Sequence, residues 1–239
     1  MEIDIVFAAG ELSEQKVKGR VAIAIDVLRA TSVMVTALKN GAKEIIPVLS
    51  AEEAFRLKEK NPDQIILGGE REALPIDGFD YGNSPLDYTA DVIRGKSLVM
   101  TTSNGTRAIK GSVTANKILI ASFLNAKAIA DCITKDEDIV FVCSGSNDLF
   151  TIEDSLCAGM LISRLNEKYS VRLTDGAMAM MVMYKTTKDV KKLASQGNHY
   201  KLLQKRGFYD DLDFCFVKDH INVVPFYENG SIIIKDLDT

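Results

Sequence analysis

Short apolar runs alternate with amphipathic stretches along the first half of the chain. The run Val21–Ile25 is apolar at every position, which is typical of a strand that is covered on both faces in a parallel sheet. A helical pattern follows at residues 31–40, and Ser50 with Glu53 forms a capping box for a second helix at residues 51–60. This alternation predicts right-handed βαβ units on a parallel sheet.

The same alternation continues until the C-terminus, where its character changes. Residues 223–227 and 231–235 flank Asn229-Gly230 and predict a β-hairpin, in which Pro225 favours an edge position. The predicted fold class is α/β: a largely parallel sheet with helices on both faces, in three α/β/α layers, and a C-terminal β-hairpin. Further strands are predicted at residues 2–8, 44–49, 65–67, 97–100, 117–121 and 138–143. Further helices are predicted from residue 106 onward and at residues 126–133, 152–169, 174–196 and 199–206.

The length of the chain predicts a single α/β unit over residues 1–239. Three segments share the outline of an apolar strand that leads through a polar turn into a helix: VAIAID, LVMTTSNGT and IVFVCSGSND. This likeness suggests internal duplication, and the length also permits two similar lobes, at about residues 1–135 and 136–239.

Composition and charge exclude several classes of partner. The chain is 46% hydrophobic and 26% charged, which is ordinary for a soluble globular protein. A formal net charge of −4 without a block of Lys and Arg gives no support for non-specific nucleic-acid binding. No apolar run approaches the ~18 residues of a membrane span, and the N-terminus lacks the features of a signal peptide. We therefore expect a cytoplasmic protein without a nucleic-acid or membrane partner.

The cysteines and histidines restrict the kind of metal site. Cys132, Cys143, Cys157 and Cys215 show no CxxC spacing and have apolar neighbours, so we expect most of them to be buried thiols in a reducing cytosol. The only histidines are His199 and His220, which argues against a histidine-rich zinc site. Any metal is therefore expected to have oxygen ligands.

The segment 65–88 combines a strand end with a shaped loop. An apolar run is predicted to end at Gly68-Gly69, after which Glu70 offers a carboxylate and Arg71 a guanidinium. A carboxylate can hold a hard cation, and a guanidinium can bind phosphate or sulfonate oxygens in a bidentate manner. The second half of the segment is rich in turn residues and polar donors, which predicts a binding loop. The alternative is a surface loop with an incidental ion pair.

Polar residues also follow three further strands. In open α/β sheets, ligands bind outside the carboxyl ends of the parallel strands, so these residues are expected to meet at one edge. Carboxylates, phosphate oxygens and water can complete a Mg²⁺ site, and arginines can neutralise the remaining phosphate charge. Loops that precede helices add backbone N–H donors for an anion. The four strand-end sets are Asp26-Val27-Leu28-Arg29, Glu70-Arg71, Thr101-Thr102-Ser103-Asn104-Gly105-Thr106 and Ser144-Gly145-Ser146-Asn147.

Each of these features has a purely structural alternative. Asp26 could cap its own helix and pair with Arg29. The turn at Asn104 could be an ordinary one, and Asp154 could only complement a helix dipole. Motifs of other phosphate-binding enzymes are absent, since no Arg stands five residues after Cys143 and no second acid two residues after Asp26. Neither GxxxxGK[ST] nor GxGxxG occurs.

A set of short motifs occurs in order along nearly the whole chain: IDVLRATS (25–32), GGER (68–71), GFD (78–80), GNSP (82–85), TT (101–102), NGT (104–106), CSG (143–145) and ED (153–154), then Gly207, Asp211, Cys215 and Val224-Pro225. In this ordered set the chain resembles the 2-phosphosulfolactate phosphatase family. The resemblance implies an α/β fold and a Mg²⁺-dependent phosphatase, a phosphoric monoester hydrolase. It would convert 2-phospho-3-sulfolactate to 3-sulfolactate and phosphate, a step in coenzyme M biosynthesis. The resemblance assigns no role to His199.

On this interpretation, a substrate with phosphate, carboxylate and sulfonate groups meets a Mg²⁺ ion held by Asp26 and Glu70. The attacking group is either a metal-activated water or a carboxylate such as Asp26 or Asp154. The predicted catalytic residues are Asp26, Arg29, Glu70, Arg71, Asn104 and Asp154. The predicted substrate-binding residues are Asn83, Ser84, Thr102, Ser103, Gly105, Thr106, Ser144 and Gly145.

Other functions stay open at this point. The chain could be a phosphatase of other 2-phospho hydroxy acids, or a lyase or mutase that acts on such an acid. It could also be a non-catalytic protein that binds a small organic anion, although Asp26 and Glu70 count against this function. The apolar, methionine-rich stretch at residues 177–184 suggests a homodimer.

Overall fold

The computed structural model describes residues 1–234, in which strands and helices alternate along most of the chain. Lys235, the predicted end of the hairpin, lies outside the described residues, as does the end of the predicted 1–239 unit. The strands are β1 (Glu2–Val6), β2 (Val21–Ile25), β3 (Glu44–Pro47), β4 (Ile65–Arg71), β5 (Leu74–Pro75), β6 (Ser97–Thr101), β7 (Lys117–Ala121), β8 (Ile139–Cys143), β9 (Arg172–Leu173), β10 (Pro225–Glu228) and β11 (Ser231–Ile234). The α-helices are α1 (Glu14–Val17), α2 (Ala30–Lys39), α3 (Ala51–Lys60), α4 (Ala90–Ile93), α5 (Gly105–Gly111), α6 (Ala126–Cys132), α7 (Ile152–Lys168), α8 (Asp175–Thr186), α9 (Val190–Ala194), α10 (Asn198–Lys205) and α11 (Tyr209–Phe214).

Alternate residues of the central strands enter cores on opposite faces of the sheet. Ile23 of β2 belongs to an apolar core that includes Leu161 of α7. The next residue, Ala24, belongs to a second core that includes Val33 of α2. Because both faces are buried, the strand is apolar at every position. The predicted α/β fold, with a mostly parallel sheet and helices on both faces, is confirmed.

The C-terminal hairpin lies inside the sheet rather than at its edge. The strand order is β5-β4-β6-β3-β11-β10-β7-β2-β8-β1-β9. Antiparallel pairing of β10 with β7 and of β11 with β3 lets the hairpin join two parallel blocks. The predicted hairpin is confirmed, but the edge position expected from Pro225 is wrong. Pro225 begins β10 and pairs with Ile234, whereas the pairing with β7 begins at Phe226, so the missing proline N–H is tolerated.

The sheet curves around helices α2 and α5. Ile66 of β4 and Val142 of β8 lie in the same apolar core as Val33 and Ile109 of these two helices. In the sheet, however, the strands β6, β3, β11, β10, β7 and β2 separate β4 from β8. The curvature therefore brings the carboxyl ends of β2, β4, β6 and β8 toward a common cavity.

Strand β4 continues through its paired glycines to Arg71, so the prediction that it ends there is wrong. A Cβ atom at Gly68 would lie 2.0 Å from the Tyr88 hydroxyl oxygen, and one at Gly69 would lie 2.0 Å from the Thr101 carbonyl oxygen. The glycines therefore permit a close approach of β6 and of a buried tyrosine, and they do not form a turn.

The predicted helix at residues 174–196 is divided into α8 and α9. Helix α8 ends at Thr186, and the Asp189 side chain accepts a hydrogen bond from the Lys192 N–H at 3.0 Å at the start of α9. An aspartate in this N-cap position stabilises a new helix start, which explains why the single-helix prediction is wrong.

The cysteines behave as small core residues. Cys143, Cys157 and Cys215 are buried, Cys132 is half-buried, and all four are free thiols. Their burial matches the expectation from their apolar neighbours.

None of the helices within residues 1–234 has the length and apolar character needed to cross a bilayer.

The division of the chain into two similar lobes stays a prediction.

Candidate active site

A cavity of about 310 Å³ lies at the carboxyl ends of β2, β4, β6 and β8, bordered by helix α10. We describe its lining as two walls. The strand-end wall comprises Asp26, Leu28, Arg29, Glu70, Glu72, Ala73, Asn83, Ser103, Asn104, Gly145, Ser146 and Asn147. The helical wall comprises His199, Leu202, Leu203 and Arg206. The predicted site residues that line the cavity are Asp26, Arg29, Glu70, Asn83, Ser103, Asn104 and Gly145.

Asp26 follows β2 directly and is 9% exposed. Its Oδ1 accepts a hydrogen bond from the Ala30 N–H at 3.1 Å and so caps α2, as the structural alternative predicted. A Cβ atom at residue 105 would lie 2.7 Å from Oδ2, so Gly105 leaves room for that oxygen. Burial raises the pKa of Asp26 well above its ordinary value, and the Asp154 carboxylate raises it further by a smaller amount. A cation bound at Oδ2 would favour the ionised form.

Arg29 is buried, and its guanidinium contacts three protein groups while lining the cavity. Its guanidinium forms an ion pair with Asp211 and lies 3.9 Å from the centroid of the Phe208 ring. It also donates to the Ala73 carbonyl at 3.5 Å. Ser84 Oγ donates to the other oxygen of the paired carboxylate at 2.6 Å. Arg29 is therefore a fixed cation, and the alternative in which it pairs with the preceding aspartate is wrong.

Glu70 and Arg71 leave β4 in opposite directions, as successive residues of a strand do. Glu70 Oε1 accepts from the Ser103 N–H at 2.7 Å, and Oε2 accepts from the Ala73 N–H at 2.8 Å. These bonds hold the carboxylate at the cavity. The Arg71 guanidinium donates to Thr101 Oγ1 at 2.9 Å and is absent from the cavity lining. The position of Arg71 therefore gives no support to its predicted catalytic role.

Asp154 connects two loops without lining the cavity. Its Oδ1 accepts from the Val27 N–H at 2.8 Å. Its Oδ2 accepts from Thr151 Oγ1 at 2.9 Å and from the Gly145 N–H at 3.2 Å. Burial, with a smaller contribution from the Glu153 carboxylate, raises the pKa of Asp154 to about 7. Because Asp154 does not line the cavity and both of its oxygens hold neighbouring loops, we interpret it as a positioning residue rather than a nucleophile.

The remaining predicted residues support the loops from behind the cavity lining. Thr106 Oγ1 accepts from the Thr102 N–H at 3.3 Å, and Thr102 Oγ1 accepts from the Thr106 N–H at 3.2 Å. These threonines thereby brace the start of α5. Ser84 hydrogen-bonds to the carboxylate that neutralises the buried arginine, and Gly105 lies against the carboxylate at the end of β2. Ser144 is buried at the end of β8.

Buried polar atoms without a hydrogen-bond partner collect around the cavity. An unsatisfied buried polar group costs about 1–3 kcal/mol, so its retention calls for an explanation such as a functional role or a bound water or ion. Two of these residues line the cavity, and the other three lie on the β8–α7 segment that borders it. Among the described residues, the atoms are Asn83 Oδ1, Ser144 Oγ, Glu153 Oε2, Ser155 Oγ and His199 Nδ1.

Sequence reasoning missed the helical wall. His199, Leu202, Leu203 and Arg206 follow the i, i+3, i+4, i+7 spacing of one helix face, which the sequence shows without revealing what that face covers. His199 Nε2 lies 2.6 Å from the Leu28 carbonyl oxygen and holds α10 against the β2–α2 loop. Burial lowers the pKa of His199, so the ring is neutral at pH 7 and Nε2 carries the donated proton.

The charges and donors of the cavity fit a divalent cation. The lining carboxylates of Asp26, Glu70 and Glu72 outnumber the guanidiniums of Arg29 and Arg206. Asp26 and Glu70 offer oxygen ligands, and Mg²⁺ commonly takes one or two carboxylates together with phosphate and water. No three His, Cys, Asp or Glu side chains within residues 1–234 are grouped to hold a metal by themselves. A Mg²⁺ ion here would therefore share its coordination with substrate and water.

Comparison with known proteins gives matches over nearly the whole chain. The family model of 2-phosphosulpholactate phosphatase matches residues 6–230, which include the entire cavity lining. A protein of Clostridium acetobutylicum named probable 2-phosphosulfolactate phosphatase is 45% identical over 235 residues, which are 98% of this chain and 100% of that protein. A protein of Clostridium novyi with the same name is 44% identical over 97% of this chain and 99% of its own length. One of Clostridium kluyveri is 43% identical over 97% of both chains.

Proposed function

This chain belongs to the 2-phosphosulpholactate phosphatase family, and from that premise we propose that it hydrolyses 2-phospho-3-sulfolactate to 3-sulfolactate and phosphate with Mg²⁺. The family resemblance seen in the sequence motifs is confirmed, and with it the enzyme class, a phosphoric monoester hydrolase. The observation that most supports the proposal is that Asp26, Arg29 and Glu70 line one cavity at the carboxyl edge of the sheet.

Four residues of the strand-end wall have a role in binding the phosphate in this proposal. We assign Asp26 and Glu70 to Mg²⁺, which when bound would neutralise phosphate charge and polarise the scissile P–O bond. Arg29 donates to non-bridging phosphate oxygens. Its ion pair with Asp211 fixes its orientation before substrate arrives, so little rearrangement is needed on binding. The amide of Asn104 supplies a further donor from the start of α5.

Water is the attacking group in this proposal. Asp154 does not line the cavity and its oxygens hold neighbouring loops, and Asp26 is assigned to the metal. The water oxygen forms a new bond to phosphorus, and the bond between phosphorus and the oxygen on carbon 2 breaks. The proton that the water loses balances the proton that this leaving oxygen gains as it becomes the hydroxyl of 3-sulfolactate. Acid quenching during turnover followed by mass spectrometry is expected to find no phosphorylated aspartate. A phosphate adduct on Asp26 would show instead that the Asp26 carboxylate, and not water, is the nucleophile.

The test of the proposal is phosphate release from 2-phospho-3-sulfolactate, with Mg²⁺ and with EDTA. 2-Phospholactate and a simple aryl phosphate are run beside it. We expect rapid Mg²⁺-dependent release that is selective for the sulfonated substrate. Equal rates with both 2-phospho acids would support phosphatase activity but with a broader class of substrates. Release from none of them would favour an anion-binding protein, and an isomerised ester without free phosphate would indicate a mutase.

Three expectations from the sequence stay predictions. They are the place of the reaction in coenzyme M biosynthesis, a cytoplasmic location, and a homodimer formed through the methionine-rich helix α8.

A further inference from the structure

The C-terminal end of helix α10 brings an arginine, Arg206, to the cavity lining. Arg206 directly follows the last residue of α10 and lines the cavity beside Leu202 and Leu203. Its backbone N–H donates to the carbonyls of these two leucines at 3.0 and 3.1 Å, which fixes where the side chain begins. No side-chain hydrogen bond or ion pair joins Arg206 to another of the residues 1–234, and its side chain is exposed. The guanidinium is therefore free to bind an incoming anion.

The contrast with Arg29 shows why this freedom matters. Arg29 is 2% exposed, and its charge is already balanced by Asp211. Arg206 thus provides a positive charge without an ion-pair partner among residues 1–234, at a cavity that also contains the carboxylates of Asp26 and Glu70. A substrate with three acidic groups needs such a charge at a distance from its phosphate.

We propose that Arg206 binds the sulfonate of the substrate and thereby determines substrate selectivity. The inference rests on the proposed function, and it adds a binding residue on the helical wall. Asp26 is buried whereas Arg206 is exposed, so a substrate whose phosphate reaches Asp26 extends its remaining groups toward the open side of the cavity. A guanidinium presents a planar set of donors that matches the oxygens of a sulfonate as it matches those of a phosphate.

The leucines next to Arg206 favour the sulfonate over the carboxylate. Leu202 is half-buried and Leu203 is buried, and both line the cavity. They offer apolar surface to the methylene group that carries the sulfonate, whereas the carboxylate is attached to the phosphate-bearing carbon directly. The guanidinium is also weakly hydrated, so its pairing with a large, weakly hydrated sulfonate costs little desolvation.

The test compares kcat/KM of wild type, Arg206→Gln and Arg206→Lys on three phosphate esters. 2-Phospho-3-sulfolactate has both acidic groups, 2-phospholactate lacks the sulfonate, and O-phosphoisethionate lacks the carboxylate. For Arg206→Gln we expect a loss of about 10- to 100-fold on both sulfonated esters, the usual range for one charge-assisted hydrogen-bonding group. We expect a change of less than about 2-fold on 2-phospholactate, and an intermediate loss for Arg206→Lys, which keeps the charge without the planar donors.

Lys205→Gln is the matched control, because Lys205 is the adjacent exposed cation and does not line the cavity. It should leave kcat/KM for all three esters unchanged. An equal loss on every ester in Arg206→Gln would overturn the selectivity role, and so would the absence of a loss on the sulfonated esters.

A binding measurement separates this inference from the proposed function. Calorimetric titration of 3-sulfolactate, with lactate as the comparison, requires no turnover. We expect Arg206→Gln to raise the Kd of 3-sulfolactate about 10- to 100-fold relative to wild type. If wild type releases no phosphate but this shift is found, the proposed reaction fails and the sulfonate site stands. If wild type is active but its affinity for 3-sulfolactate is unchanged in the variant, the sulfonate site fails and the reaction stands.

Discussion

The strand-end wall and the helical wall hold their polar groups in different ways. On the strand-end wall, the Glu70 carboxylate accepts two backbone N–H groups, and the Arg29 guanidinium is paired with Asp211. On the helical wall, His199 is bound through one nitrogen, and Arg206 has no side-chain partner within residues 1–234. Groups that are fixed in advance suit a reacting phosphate, because preorganised charge stabilises a transition state. A free side chain suits the substituent by which substrates differ, so we assign chemistry to the first wall and selectivity to the second.

The largest effect is expected for Asp26→Asn on the strand-end wall. The substitution removes a charge next to the phosphate with little change in size, and we expect kcat/KM to fall about 10³-fold or more on every substrate. Because burial raises the pKa of Asp26, the folded protein disfavours the charged form, and the variant should be at least as stable as wild type at pH 8. Steady-state kinetics and urea unfolding measure the two effects. Activity above about one tenth of wild type would remove Asp26 from the chemistry.

A smaller effect is expected for Asp211→Asn, which leaves Arg29 buried without its counter-charge. Breaking a buried ion pair in this way costs about 3–5 kcal/mol, and we expect a value near the lower end because an Asn can keep the hydrogen bond from Ser84. In urea unfolding, the exposed neighbour Asp210→Asn serves as the control and should change stability by less than about 0.5 kcal/mol.

The kinetics of Asp211→Asn test the division between the walls. Since Arg29 is assigned to the phosphate, kcat/KM should fall by a similar factor on sulfonated and non-sulfonated esters. A loss confined to the sulfonated esters would instead place selectivity on the strand-end wall and contradict the comparison.

The predictable part of the fold is the part that local burial dictates. A strand covered on both faces must be apolar throughout, so β2 and β8 are visible in the sequence. The position of the hairpin is not visible, because it depends on the pairing of Phe226 with Leu119, more than a hundred residues earlier in the chain. Pro225 favours an edge, but it needs only to avoid donating to the next strand, and the first position of β10 permits this.

The same distinction, between what local sequence dictates and what depends on tertiary packing, applies to the residues of the candidate site. Asp26 and Glu70 could be predicted because ligands bind at the carboxyl ends of parallel strands. The outward direction of Arg71 could not, because it requires knowing that β4 continues past the glycines and that Glu70 takes the inward position. Arg206 could not be assigned either, since the face of α10 on which it lies is a surface pattern until tertiary packing places it against the cavity.

Glu153 lies close to the residue that precedes the helical wall. It is buried in the first turn of α7, and its Oε2 lies 3.5 Å from the point that a Cβ atom at Gly197, just before α10, would occupy. Burial, together with the Asp26 carboxylate, raises the pKa of Glu153 to about 7. The unfolded chain releases this proton at about pH 4.3, whereas the folded protein keeps it until about pH 7. By linkage, stability falls as the pH rises through this window.

The smallest of these effects is therefore expected for Glu153→Gln in urea unfolding at pH 5 and pH 8. The wild-type free energy of unfolding should decrease from pH 5 to pH 8. In the variant this decrease should be smaller by about 2–3 kcal/mol, because the glutamine has no proton to lose. Glu167→Gln, at the exposed end of the same helix, should follow the wild-type pH dependence. Parallel curves for wild type and Glu153→Gln would mean that another carboxyl, such as Asp154, carries the titration. In that case the charge of Glu153 would be constant across neutral pH, and its contact with Gly197 would not depend on pH.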